Sequence, residues 1–148
     1  MKKIFLIVAV FAIQLGFSQK VTSLKIEKGE QKEKLIELSK NQLTSYNANF
    51  VKFLAALKAS DRKASDELLS AKAKEIVTDK IYQKLSTDIH FEKKLEIFKS
   101  GYKPMIDGSS YPMIQYKYSD DKATIPNELV TVVFEESGKI LGVKPFKK

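Results

Sequence analysis

Tyr102, Tyr111, Tyr116 and Tyr118 crowd one stretch of this sequence, with Met105 and Met113 among them. Tyrosine offers a flat apolar ring with a hydroxyl handle, and methionine a polarizable chain that fills irregular space. If residues 111–118 form a strand, Tyr116 and Tyr118 share one face with Ile114, while Tyr111 and Met113 share the other. A concave surface lined by Tyr102, Tyr111, Met113, Tyr116 and Tyr118 would suit an apolar ligand carrying one or two polar groups. Those five are the candidate ligand-binding residues. The plainer expectation is that one strand face is core and the other an ordinary sheet surface.

Machinery for covalent chemistry is sparse. There is no cysteine, and no serine stands in a G-x-S-x-G elbow. The single histidine, His90, lies between Ile89 and Phe91 with no serine nucleophile assignable to it. Asp88 and His90 could supply two metal ligands, but a transition-metal site wants three or four donors. Asp120-Asp121 lacks the alternating acidic pattern of a calcium loop. Gly138-Lys139 lacks the preceding glycines and the following Ser or Thr of a phosphate-binding loop. No catalytic residue, metal ligand set or cofactor is therefore assigned from these residues.

The opening residues predict where the protein works. Lys2 and Lys3 precede an unbroken apolar run from Ile4 to Ile13, and Gly16 and Ser18 suit a signal-peptidase site. A run of about ten residues is too short to span a bilayer as a helix. Residues 1–18 read as an export signal, and 19–148 as a single domain in the periplasm or outside the cell. Without cysteine there are no disulfides, and a lipid anchor on a cysteine after the signal is excluded. No later segment is apolar enough for a membrane span.

Charge is unevenly placed. Residues 19–103 hold 18 Lys/Arg against 12 Asp/Glu, whereas 104–148 hold six of each. A lysine-rich solvated helical face explains this excess, and weak contact with an anionic surface remains open. Arg62 is the one arginine, and arginine is the better bidentate reader of phosphate, so nucleic acid is not an expected partner.

The elements that would carry these residues follow from periodicity. Residues 21–28 alternate loosely, as a short strand or a terminal extension. Between 30 and 59, Leu43, Tyr46, Phe50, Phe53, Leu54 and Leu57 recur at spacings of three and four, with Leu35, Ile36 and Leu38 upstream. That predicts an amphipathic helix of about 25 residues with a buried aromatic face. Ser60-Asp61, Ser65-Asp66 and Thr78-Asp79 offer N-caps for shorter helices. Ile81, Tyr82, Leu85 and Ile89 give one helical face, and Phe91, Leu95, Phe98 and Tyr102 a second. Gly101 suits the C′ position of that last helix, ahead of Pro104.

After Pro104 the pattern changes to strands. A turn at Asp107-Gly108 precedes strand 111–118, a polar loop, strand 129–134, a hairpin turn with Gly138, and strand 140–146. Helices over about 30–103 followed by a sheet over about 105–146 predict an α+β fold. In it, N-terminal helices pack on a C-terminal antiparallel sheet of three or more strands.

Strand, polar loop, strand and tight hairpin, ending ELVTVVFEESGKILGVKPF, resemble the curved sheet of nuclear transport factor 2-like domains. These are cystatin-type, cone-shaped α+β folds, and small secreted members of unknown function often close on a strand, an acidic-Gly turn and a strand reading I-x-G. The resemblance covers 40–148 in element order. It implies helices lying across the sheet around a pocket. Members include enzymes, ligand binders and interaction modules. In an enzymatic member a buried Asp beside Tyr or His would do acid–base work, which directs attention to Asp107, Tyr111, Tyr116 and His90.

The leading expectation is a non-enzymatic exported domain that binds a small apolar ligand or a protein partner of the cell envelope. Two other readings stand beside it: a folding or stress factor holding unfolded chains, including one with isomerase-like activity, and a small Asp/Tyr-dependent enzyme. The stripe from Leu35 to Leu57 exceeds what three strands obviously cover, which leaves a dimer open.

Overall fold

A Ser39–Gln42 capping box starts the first helix. The Ser39 side chain accepts the Gln42 N–H at 3.2 Å, and the Gln42 side chain accepts the Ser39 N–H at 3.0 Å. The computed structural model describes residues 36–148, which fall within one unit of the chain, Leu35–Lys148. Helix α1 therefore runs Lys40–Lys58, 19 residues, shorter than periodicity suggests. Ile36 lies outside it and is exposed, while Leu38 is buried just ahead of the cap. The expected export signal and the segment 21–28 lie outside the described residues.

Helix α1 ends in a Schellman turn: Ser60 N–H bonds to Leu57 and Asp61 N–H to Ala56. Ser60 takes the left-handed conformation there, at φ 56°. Asp61 then caps α2 (Arg62–Leu68), Ser70 caps α3 (Ala71–Ile76) and Thr78 caps α4 (Asp79–Asp88). Ser65-Asp66, expected as a cap, lies inside α2. The Ser65 hydroxyl donates to the Asp61 carbonyl instead.

Four strands follow: β1 (Leu95–Pro104), β2 (Ser110–Tyr118), β3 (Glu128–Phe134) and β4 (Ile140–Lys147). They form an antiparallel meander in the order β1-β2-β3-β4. The expected α+β class, helices before an antiparallel sheet, is thus the fold.

One element is corrected. The segment with Phe91, Leu95, Phe98 and Tyr102 is not a second helical face, because Leu95–Pro104 is strand β1. Leu95 pairs with Tyr118, Ile97 with Tyr116, Ser100 with Ile114 and Tyr102 with Pro112, with a register shift between Ile97 and Lys99. The extra residue of that irregularity stretches a two-residue alternation into steps of two and three, which mimics helical spacing. Gly101 is accordingly a buried strand residue rather than a helix C′. The Asp107-Gly108 turn closes the β1–β2 hairpin, with Gly108 at φ 83°.

The core lies between α1 and one face of the sheet. Tyr46 stacks on Phe134 with centroids 5.0 Å apart, and Phe50 meets Tyr116 at 4.7 Å. Ile114, Val130, Val132 and Ile140 complete it from the strands, and Leu69, Tyr82 and Leu85 from the shorter helices. Polar side chains of α1 pin the β3–β4 turn. Asn49 Nδ2 donates to the Gly138 carbonyl at 3.0 Å, and the Tyr46 hydroxyl to the Glu136 carbonyl at 3.2 Å.

Candidate functional site

Strand alternation separates the five candidate ligand-binding residues. Tyr116 and Tyr118 face the helices with Ile114, as expected, and all three are buried. The Tyr116 hydroxyl donates to Asn47 Oδ1 at 3.0 Å. Burial holds the Tyr116 phenol well above its ordinary titration range. The Tyr118 hydroxyl accepts the His90 backbone N–H at 3.0 Å. Tyr102, from β1, accepts a hydrogen bond from Gln42 Nε2 at 3.0 Å and reaches Glu136 at 3.4 Å. Tyr111 and Met113, one residue out of phase with Tyr116 on β2, belong to the opposite face. Tyr102, Tyr116 and Tyr118 are thus built into the helix–sheet contact, and the five do not line one pocket.

Asp107, Tyr111, Tyr116 and His90 are not brought together either. The Asp107 carboxylate sits in the hairpin turn, where the Ser109 hydroxyl and N–H lower its pKa. Asp121 accepts N–H groups of Ala123 and Asn127, which organises the β2–β3 loop and lowers its pKa. Asp120 pairs with Lys93 at 3.1 Å.

His90 does border a cleft of about 370 Å³, together with Asp88, Tyr118, Glu128 and Lys147. Its Nε2 lies 3.6 Å from Glu128 and its Nδ1 3.5 Å from Glu92. Lys147 approaches Glu128 at 2.8 Å and lowers the Glu128 pKa, while Lys84 approaches Asp88 at 2.8 Å. A carboxylate beside imidazole can orient a general base. Here both ring nitrogens face carboxylates, and the neighbouring lysines are already paired. The arrangement ties the start of β3 to the end of β4 and the segment before β1. Among the described residues no group of three or more His, Asp or Glu could hold a metal ion.

A third depression has different chemistry. Phe53, Leu69, Ala73, Ile76, Val77 and Ile81 line it with Leu85, and the floor is Leu141, Gly142 and Val143 of β4. Its volume is about 160 Å³, and no lining side chain is polar. Ile76 is 69% exposed and Ile81 38% exposed, so the apolar surface continues onto the rim. Two local features border this groove. α3 ends at Ile76 and α4 restarts at Asp79 under a Thr78 cap, which leaves Ile76 on a corner. β4 is the last strand of the sheet, and the Ser70 N–H bonds to its Ile140 carbonyl at 2.8 Å.

Sequence reasoning placed Ile81 on a helical face but did not single out Ile76, Leu141 or Val143. The available signal was an Ile-Val pair directly before a Thr-Asp cap, where an apolar side chain has no helical turn above it.

No protein-family model matches this sequence, and neither curated proteins nor solved structures provide a match. No helix among the described residues is long and apolar enough to cross a membrane.

Proposed function

We propose that this chain is an exported, non-enzymatic binding domain that receives an apolar group of a protein partner in the groove between α3, α4 and β4. The observation that carries this reading is an all-apolar groove whose rim residue Ile76 is 69% exposed. Exposed apolar surface around a concavity marks binding sites in soluble proteins. Size favours a protein partner over a free small ligand. Sites enclosing a drug-sized ligand span about 300–1,000 Å³, and this groove of about 160 Å³ suits one or two side chains. Export rests on the lysine-led apolar run at 2–13, and helices preceding a four-stranded meander support the cone-shaped resemblance.

The test is a titration of isotope-labelled protein with N-acetyl-leucine amide, followed by methyl NMR. Shifts are expected at Ile76, Ile81, Leu85 and Val143, and Ile81→Ser should abolish them while the remaining spectrum stays folded. Shifts confined to other methyl groups, or none at millimolar ligand, would sink the reading.

A further inference from the structure

The helices bury the sheet face of Ile114, Tyr116, Val130 and Val132. Strand pairing defines what stands on the other face, because residues directly opposite one another share a side. One row crosses all four strands as Lys99, Gln115, Thr131 and Lys144. Gln115 Nε2 donates to Thr131 Oγ1 at 3.2 Å, which lays these two polar side chains along the row. Lys99 and Lys144 end it on the two outer strands, three strand spacings or about 14 Å apart. The neighbouring row is Gly101, Met113, Val133 and Gly142, with Lys103 and Tyr111 paired beyond it. It has no side chain at either end, and a Cβ on Gly142 would meet nothing within 4 Å. A shallow trough therefore runs across the strands beside the polar row.

This face is basic. Lys99, Lys103 and Lys144 are exposed, and none has an ion-pair partner among the described residues. Lys117 is held at 3.3 Å by Glu96, the one acid that the four strands place on this side. Glu128, the other strand acid, shares its side with Val130 and is bound to Lys147 at 2.8 Å. Even counting Glu135, directly after β3, four lysines stand against two carboxylates.

We infer that this face binds an acidic polysaccharide, a chain of carboxylate-bearing sugars laid across the strands along the trough. Lysines at both edges would pair with carboxylates, Gln115 and Thr131 would hydrogen-bond hydroxyls, and the Tyr111 ring would offer a flat apolar surface to a sugar. The inference goes beyond the groove reading and does not rest on it. Two other polyanions fit less well. Phosphates are read best by arginine, and Arg62, the only one, is committed to Asp66, Asp79 and the Val77 carbonyl. A bilayer surface also takes up protruding apolar side chains. In these rows Met113 is 6% exposed, and Phe146, beside Leu129, is the one large apolar side chain that stands out, at 52%.

Fluorescence anisotropy of a labelled octamer of galacturonic acid tests this at about 0.05 M salt, where screening is incomplete. The methyl-esterified octamer, which keeps the sugars and loses the charges, should bind about tenfold or more weakly. K99E/K144E should also cost about tenfold in affinity. K63E/K74E, an equal charge change on exposed positions of α2 and α3, should leave affinity unchanged. Equal losses in the two double variants would overturn the inference, because attraction would then follow net charge rather than this face. Equal affinity for the esterified octamer would remove the carboxylates from recognition and overturn it as well. So would no binding of the acidic octamer, or tighter binding to phosphatidylglycerol vesicles or to a short single-stranded DNA.

Discussion

The guanidinium carbon of Arg62 lies 4.2 Å from the centroid of the Tyr82 ring. From there the group spreads its donors: Nε to Asp66 at 3.0 Å, Nη1 to Asp79 at 2.9 Å and Nη2 to the Val77 carbonyl at 2.8 Å. The only arginine of the chain thereby ties α2 to the start of α4. A lysine cannot stack flat and bond in three directions at once. Arg62→Lys should cost about 1–2 kcal/mol of stability, whereas Lys63→Arg one position on should cost about zero. Chemical denaturation of the two variants checks this, and equal midpoints would refute it.

Tyr116 joins helix and sheet by its ring and by its hydroxyl, and the two contributions can be separated. Tyr116→Phe keeps the contact with Phe50 and removes the bond to Asn47, for an expected loss of about 1 kcal/mol. Phe50→Ala empties a fully buried position beneath α1 and should cost about 3–5 kcal/mol. If Tyr116→Phe proved as costly as Phe50→Ala, the hydroxyl would matter far more than one neutral hydrogen bond predicts.

Two glycines with the same backbone angle should respond differently to alanine. Gly108 and Gly138 stand at φ 83° and 84°. A Cβ on Gly108 meets nothing within 4 Å, so Gly108→Ala should cost only the backbone strain of about 1 kcal/mol. A Cβ on Gly138 would lie 2.9 Å from Asn49 Nδ2, which is holding the Gly138 carbonyl. Gly138→Ala should therefore exceed Gly108→Ala by about 1 kcal/mol or more. Thermal unfolding of both variants measures the difference.

Stability should fall at both ends of the pH scale for different reasons. Burial raises the phenol pKa of Tyr46, Tyr116 and Tyr118, and pushes Tyr82 up to about 12. A pKa raised on folding contributes stability that is complete below the unfolded value of about 10 and is lost as pH climbs past it. Glu128 runs the other way, lowered chiefly by its bond to Lys147. Its contribution is present above about 4.5 and disappears as pH falls further. Melting midpoints across pH should form a plateau with an alkaline fall that Tyr116→Phe makes shallower. An unchanged alkaline limb in that variant would count against burial as its cause.

How much of this was legible beforehand depended on the range of the interaction. The α1 aromatic stripe, the Thr78 cap, the Gly138 turn and strands β2 to β4 are written in local periodicity and turn chemistry. Each was read close to its place. β1 was not, because its alternation is interrupted by one extra residue opposite β2, and pairing with the next strand outweighs the local helical spacing of Leu95, Phe98 and Tyr102.

Residue types and their spacing determined that helices precede an antiparallel sheet, that one arginine serves the whole chain, and that nucleophilic elbows and thiols are missing. Tertiary structure alone decided which tyrosines face the core, that both nitrogens of His90 meet carboxylates, and that Ile76 and Ile81 border an open apolar groove. The physical reason is that which sheet face becomes core depends on the helices packed against it, and those contacts join residues far apart in the chain, as between Phe50 and Tyr116. The groove lies where a short helix stops at Ile76 beside the edge strand β4, a juxtaposition that no local pattern encodes.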